Sequence, residues 1–247
     1  MTSTLVFIYI VIVLAFIFDF INGFHDAANS MAIMVATKVL KPLTAVLWAA
    51  FFNFIAFLFF HLSVATTIGS GLVEPHIITP YLLFAALMGA IIWNLLTWYF
   101  GLPSSSSHGL IGGLIGAALV TGGWHVLNWH GLLPVLIAIV LSPVLGLSVS
   151  WILIKISHAL LKDINSDKAQ RWSRRAQFVA GALLSLGHGG NDAQKTMGII
   201  AVLLFSTGLL NGHFYVPFWV IISCNFVMGL GTLIGGWRIV NTLGNKI

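Results

Sequence analysis

Asn22-Gly23-Phe24-His25-Asp26-Ala27-Ala28-Asn29-Ser30-Met31 interrupts a stretch of membrane-grade hydrophobic sequence, and His188-Gly189-Gly190-Asn191-Asp192-Ala193-Gln194-Lys195-Thr196-Met197 repeats the interruption. At an offset of 166 residues the two knots align Gly23 with Gly189, Asp26 with Asp192, Ala27 with Ala193 and Met31 with Met197. Ser30 falls opposite Thr196. The 247-residue chain has only six acidic residues, and two of them hold the same place in both copies. A carboxylate at membrane depth is costly and marks a functional site by default. Its repetition points to two halves that build one site.

The composition around the knots fixes the class. With 59% hydrophobic residues, 7% charge and a mean hydropathy of +1.01, the chain lies far from a soluble domain. Apolar runs of about 20 residues recur along it, the length a helix needs to span a bilayer. This is an all-α polytopic membrane protein, since the short alternating strands of a membrane barrel are absent. The first residues have no basic region before the apolar run and read as a retained span. Cys224 is the single cysteine, which leaves no disulfide within the chain and no cysteine metal cluster. The basic excess clusters in one loop and reads as a topology signal, with no nucleic-acid partner.

Hydropathy places spans at 5–22 with a continuation at 28–36, then 44–68, 81–100, 110–120, 133–154, 178–210 and 216–237. Lys155, Lys162, Lys168, Arg171, Arg174 and Arg175 form the densest basic segment, which is cytoplasmic by the positive-inside rule. Lys38 with Lys41, and Arg238 with Lys246, join it. The loops with Glu74 and His76, with Trp124 to His130, and with His213 hold no Lys or Arg and fall outside. The expectation is an N-terminus outside, a C-terminus in the cytoplasm and a cell-membrane location. Segment 110–120 is short for a full crossing, as half a helix beside a re-entrant loop would be. The first knot then enters from outside and the second from the cytoplasm, which makes the repeats inverted, a construction of secondary transporters. The expected organisation is a first membrane repeat at 1–156, a cytoplasmic amphipathic linker at 157–176, and a partial second repeat at 177–247.

Gly23, Gly187, Gly189 and Gly190 weaken the helix beside the acids, so a break at each knot is expected. Unwound turns would turn Asp26, Asn29, Asn191 and Asp192 and freed carbonyls towards a common cavity. Oxygen ligands of that kind suit sodium, and an Asp can equally carry a proton. The alternative use of such glycines is helix packing. Gly101-Leu102-Pro103-Ser104-Ser105-Ser106-Ser107-His108-Gly109-Leu110 is the third constellation. Pro103 stops one helix, the serines cap the next, and hydroxyls at a helix N-terminus make an anion cradle. Lys195 is the one basic residue in any of the three segments. A multivalent anion beside Asp26 and Asp192 must therefore arrive with cations.

These segments resemble the signatures of the inorganic phosphate transporter (PiT) family, over essentially the whole chain. The resemblance rests on Gly23-Phe24-His25-Asp26-Ala27-Ala28-Asn29, Gly189-Gly190-Asn191-Asp192 and Leu102-Pro103-Ser104-Ser105-Ser106-Ser107-His108. It implies an inverted-repeat secondary transporter with broken helices and a re-entrant serine-rich hairpin. Its activity would be symport of inorganic phosphate with Na+ or H+. Asp26, Asn29, Asn191 and Asp192 match cation-binding positions, and Ser104, Ser105, Ser106 and Ser107 match the hairpin that holds phosphate. Lys195, read from its own position at membrane depth, is expected to approach the anion, the alternative being to snorkel towards the cytoplasm. No cofactor beyond the coupling cation is implied. The partners implied are phosphate, cations, the lipid bilayer and a second copy in a homodimer. One departure is that the hairpin of the second repeat would fall near position 270, so the second repeat is expected to be incomplete. The alternatives are another oxyanion such as sulfate, or a fragment that a second polypeptide completes. A hydrolase built on Ser107 and His108 lacks a nucleophile elbow, and a channel has no use for two opposed carboxylate knots.

Overall fold

The computed structural model describes residues 2–100, 102, 104–162 and 164–244, and the side chains among them except at positions 2, 28–30, 32–33, 70 and 237–244. Eight α-helices follow in order: α1 Thr2–Ala36, α2 Pro42–Ile55, α3 Ser63–Thr66, α4 Pro80–Tyr99, α5 Ser106–Gly122, α6 Trp129–Leu161, α7 Ser166–Ser206 and α8 Phe218–Gly244. Among the described residues four of them (within α1, α4, α6 and α8) are long and apolar enough to cross a membrane, and the bent pair of 42–58 with 63–69 would make a fifth if it forms one span.

The knots do not break their helices. α1 runs without interruption through Asp26, and α7 through Asp192. Three of the four glycines expected to unwind them, Gly23, Gly189 and Gly190, serve packing instead, and Gly187 faces open space. A Cβ on Gly23 would overlap the Met228 carbonyl of α8, and one on Gly189 the Asn53 carbonyl of α2. On α8, Gly231 and Gly235 meet the Phe20 and Phe24 carbonyls of α1 in the same way. Lipid tails offer no hydrophobic drive between helices, so close backbone approach at small residues supplies the association. The break lies in the second span instead, where the axis turns by 73° between the two halves.

Four helices form the centre. Asp19 meets Thr196, Asp26 meets Asp192, and Met34 meets Gly181, so α1 and α7 run antiparallel. Phe54 packs on Phe226, Asn53 donates to Thr232 at 2.8 Å, and Val46 meets Gly236, so α2 and α8 are antiparallel too. The Asn53-Phe54 pair of α2 recurs as Asn225-Phe226 of α8. Two helix pairs of opposite direction, each starting with a knot, are the inversion that the loop charges implied. Asn53 bonds across helices, whereas Asn225 donates to Ile221 of its own helix.

α4 and α5 form a hairpin along α1. Phe7 packs on Tyr81 and Phe24 on Trp98, so α4 runs with α1. α5 returns with Gly113 against Ala86 and Gly109 against Trp93. Both outer ends are tied together, with the Glu74 N–H bonded to the Val126 carbonyl at 2.9 Å and the Asn128 N–H to the Leu72 carbonyl at 3.0 Å. The tip meets α1 at Asn22, while α1 continues past Asp26 to Ala36, roughly 15 Å further. The hairpin therefore re-enters. α6 stands apart with only Leu132 buried. The polar stretch 157–176 is not a separate helix but the end of α6 and the start of α7.

Candidate functional site

The hairpin tip and the two knots converge. Ser105 caps α5 by accepting from the His108 N–H, so the helix begins at Ser106 and its first two side chains face the bundle. Ser106 is buried and hydrogen-bonds the Asn22 side chain, and Ser107 accepts from the Lys195 ammonium. Ser104 is turned away and accepts from the Trp93 indole at 2.9 Å. Of the four serines, two reach the knots and two hold the turn.

Asp26, His188 and Asp192 present oxygen and nitrogen atoms that all lie within 4.8 Å of one another. Asn22 joins them. With its amide nitrogen facing the carboxylates it stands 3.2 Å from Asp192 Oδ2 and 3.3 Å from Asp26 Oδ2. Lys195 Nζ lies 3.1 Å from Asp192 Oδ1, and its side chain is 4% exposed. It points into the protein rather than snorkelling to the surface. His188 Nδ1 is 3.5 Å from Asp192 Oδ2, and its Nε2 is buried without a hydrogen-bond partner. Two carboxylates against one lysine leave a net negative charge when both are ionised, which a cation or proton would offset. Asp26, His188 and Asp192 are the donor set able to hold such an ion, with side-chain oxygens in place of freed backbone carbonyls.

Beside this cluster lies a cavity of about 350 Å³ lined by Ser63, Thr67, Ser107, Asn191, Asp192 and Lys195, with apolar walls from Val64, Ile68, Ile111 and Val135. Asn191 thus faces the same space as Asp192. The side chain of Asn29 falls outside the described ones. The broken second span supplies one wall, and Gln194 holds the break. Its Oε1 accepts from the N–H groups of Val64 (3.1 Å) and Ala65 (3.3 Å), and its Nε2 donates to the His61 carbonyl (2.8 Å). Sequence reasoning passed over Asn22, Gln194 and Ser63. The first two stand inside the quoted knots, where an amide among carboxylates was the available signal.

Membrane-length helices, an inverted helix core and a re-entrant hairpin meeting buried charges define an all-α polytopic membrane protein of the transporter class. The sequence profile of the phosphate transporter family matches residues 22–247. The probable low-affinity inorganic phosphate transporter of Rhizobium meliloti (strain 1021) is 57% identical over 249 residues, covering 100% of this chain and 75% of that protein. Its namesake in Bacillus subtilis (strain 168) is 44% identical, over 100% of this chain and 74% of that one. A solved structure titled the sodium-dependent phosphate transporter superposes with a TM-score of 0.85 at 25% identity, covering 98% of this chain and 78% of that one. The chain belongs to the phosphate transporter family. Its relatives are transporters and not enzymes, which disposes of the hydrolase reading.

Proposed function

We propose that the protein carries inorganic phosphate across the cell membrane by symport with cations. The observation that carries this reading is the juxtaposition of Asp26 and Asp192, from antiparallel helices, with a serine-tipped hairpin and one buried lysine. In this reading Ser106, Ser107 and Lys195 meet the phosphate, and the cavity beside Asn191, which Ser107 and Lys195 line, admits it. Ser104 and Ser105 hold the turn that aims the other two. Asp26, Asn29, Asn191 and Asp192 take the cations that offset the charge of anion and carboxylates together. Inverted helix pairs around such a site permit alternating access by rocking one pair against the other. The N-terminus lies outside and the C-terminus in the cytoplasm, because Lys155 to Arg175 carries the densest positive charge. The 1–156 and 177–247 segments act as the two repeats, joined through 157–176.

Radiolabelled phosphate uptake into proteoliposomes tests this, with sodium and pH gradients imposed separately. Phosphate is expected to accumulate above equilibrium under a cation gradient and only to equilibrate without one. Excess unlabelled sulfate is expected to leave uptake unchanged. Uptake that never exceeds equilibrium under either gradient would contradict symport, and full competition by sulfate would move the substrate assignment.

A further inference from the structure

The break in the second span frees backbone groups that no local side chain satisfies. α3 begins after Leu62, which has no side-chain cap to offer, so the N–H groups of Val64 and Ala65 lack a partner in their own segment. Gln194 supplies one from α7. Its Oε1 accepts from both N–H groups, at 3.1 and 3.3 Å, and its Nε2 donates to the His61 carbonyl on the near side of the bend, at 2.8 Å. The residue is 3% exposed. An amide suits both ends of the break because it donates and accepts at once, whereas an ionised carboxylate only accepts. One turn further along α7, a Cβ on Gly198 would overlap the Ala65 carbonyl, so α3 lies directly on this helix. Unpaired backbone groups are costly inside a bilayer. Without the amide, straightening the span is the route by which those groups regain partners.

The segment held in this way brings Ser63 to the cavity that Ser107 and Lys195 also line. The hydroxyls near it are engaged, Thr66 donating to the Leu62 carbonyl at 2.9 Å and Thr67 to the Ser63 carbonyl at 3.0 Å. The Ser63 hydroxyl has no hydrogen-bond partner among the described residues. An anion drawn out of water needs a donor for each oxygen it turns to the protein. We propose that Ser63 donates a hydrogen bond to the transported phosphate, and that Gln194 is the positioning residue that holds Ser63 there. The broken span then joins the hairpin tip and the second knot as a third segment in contact with the anion. This rests on the reading of the cavity as the phosphate site, and adds to it a contact and the side chain that supports it.

The test reads equilibrium binding of radiolabelled phosphate to the purified protein, with KM and kcat of uptake beside it. Ser63→Ala is expected to weaken phosphate binding roughly tenfold, the loss of one hydrogen bond to a charged group, and to raise KM more than it lowers kcat. Gln194→Met, close in size but unable to hold the bend, should weaken binding at least as much. Because Gln194 acts through Ser63, adding Ser63→Ala to Gln194→Met should change little further. Gln194→Glu keeps an acceptor for the two N–H groups, so in that background Ser63→Ala should again cost about tenfold. Gln194→Asn, whose amide is one methylene short of the bend, covers a Gln194→Met protein that does not assemble and should behave alike. Unaltered phosphate affinity in Ser63→Ala overturns the contact. Effects of Ser63→Ala and Gln194→Met that multiply in the double variant overturn the positioning role, as does a Gln194→Met protein that melts earlier but binds phosphate normally. An unchanged protein that binds no phosphate at all would sink the reading of the site itself.

Discussion

Asp192→Asn is expected to abolish gradient-driven phosphate accumulation and also to lower stability, and Asp26→Asn is expected to abolish accumulation. The stability loss at Asp192 arises from Lys195. Asp192 is the carboxylate against its buried ammonium at 3.1 Å, with 4% and 16% of the two side chains exposed. Removing one member of a buried pair leaves the other uncompensated and costs roughly 3–5 kcal/mol. The Ser107 hydroxyl and the new amide oxygen recover part of that cost. Asp26 meets Asn22 and the His188–Asp192 pair. The double variant Asp192→Asn/Lys195→Met should regain most of the lost thermal stability in detergent and none of the transport. A double variant no more stable than Asp192→Asn alone would mean that the pair contributes nothing.

Gly189→Val is expected to damage the protein as severely by a purely steric route. The new Cβ would overlap the carbonyl, Cα and carbonyl carbon of Asn53, all of them backbone, so no rotamer change relieves it. Overpacking of this kind costs about 1–3 kcal/mol and sometimes more, and α7 must move off α2. Asp192 is three residues along the same helix and moves with it. A large fall in melting temperature together with loss of uptake is expected. Gly187→Ala is the control, because nothing lies within 4 Å of a Cβ there. It should be neutral or slightly stabilising, since Ala favours a helix over Gly by about 1 kcal/mol. Equal damage from both substitutions would show that helix flexibility at the knot, not packing, is what the glycines provide.

That contrast also explains which parts of the molecule the sequence revealed. The two Asp knots were readable because charge is rare in this chain and the spacing repeats. Their opposed directions were readable because Lys and Arg sort to one side of a membrane. The hairpin was readable from Pro103 and the serines, and its shortness from 110–120. The glycines misled because a soluble-protein rule, that Gly weakens a helix, was applied where close backbone contact dominates. The bend between α2 and α3 left no trace in hydropathy, which stays high from 44 to 68. It depends on Gln194, which reaches it from about 130 residues away in the chain. The separate fates of the four serines follow from where α5 begins, a one-residue matter that a run of identical side chains conceals.

The central claim is that anion and cation occupy one site built from both halves. Binding at one position must then strengthen binding at the other, and by the same factor in each direction. Equilibrium binding of radiolabelled phosphate to the purified protein, titrated against sodium at fixed pH and against pH at fixed sodium, measures this directly. Phosphate affinity is expected to rise with at least one of the two cations, and Asp192→Asn is expected to flatten the response. Phosphate affinity independent of both cations in the unchanged protein would contradict it.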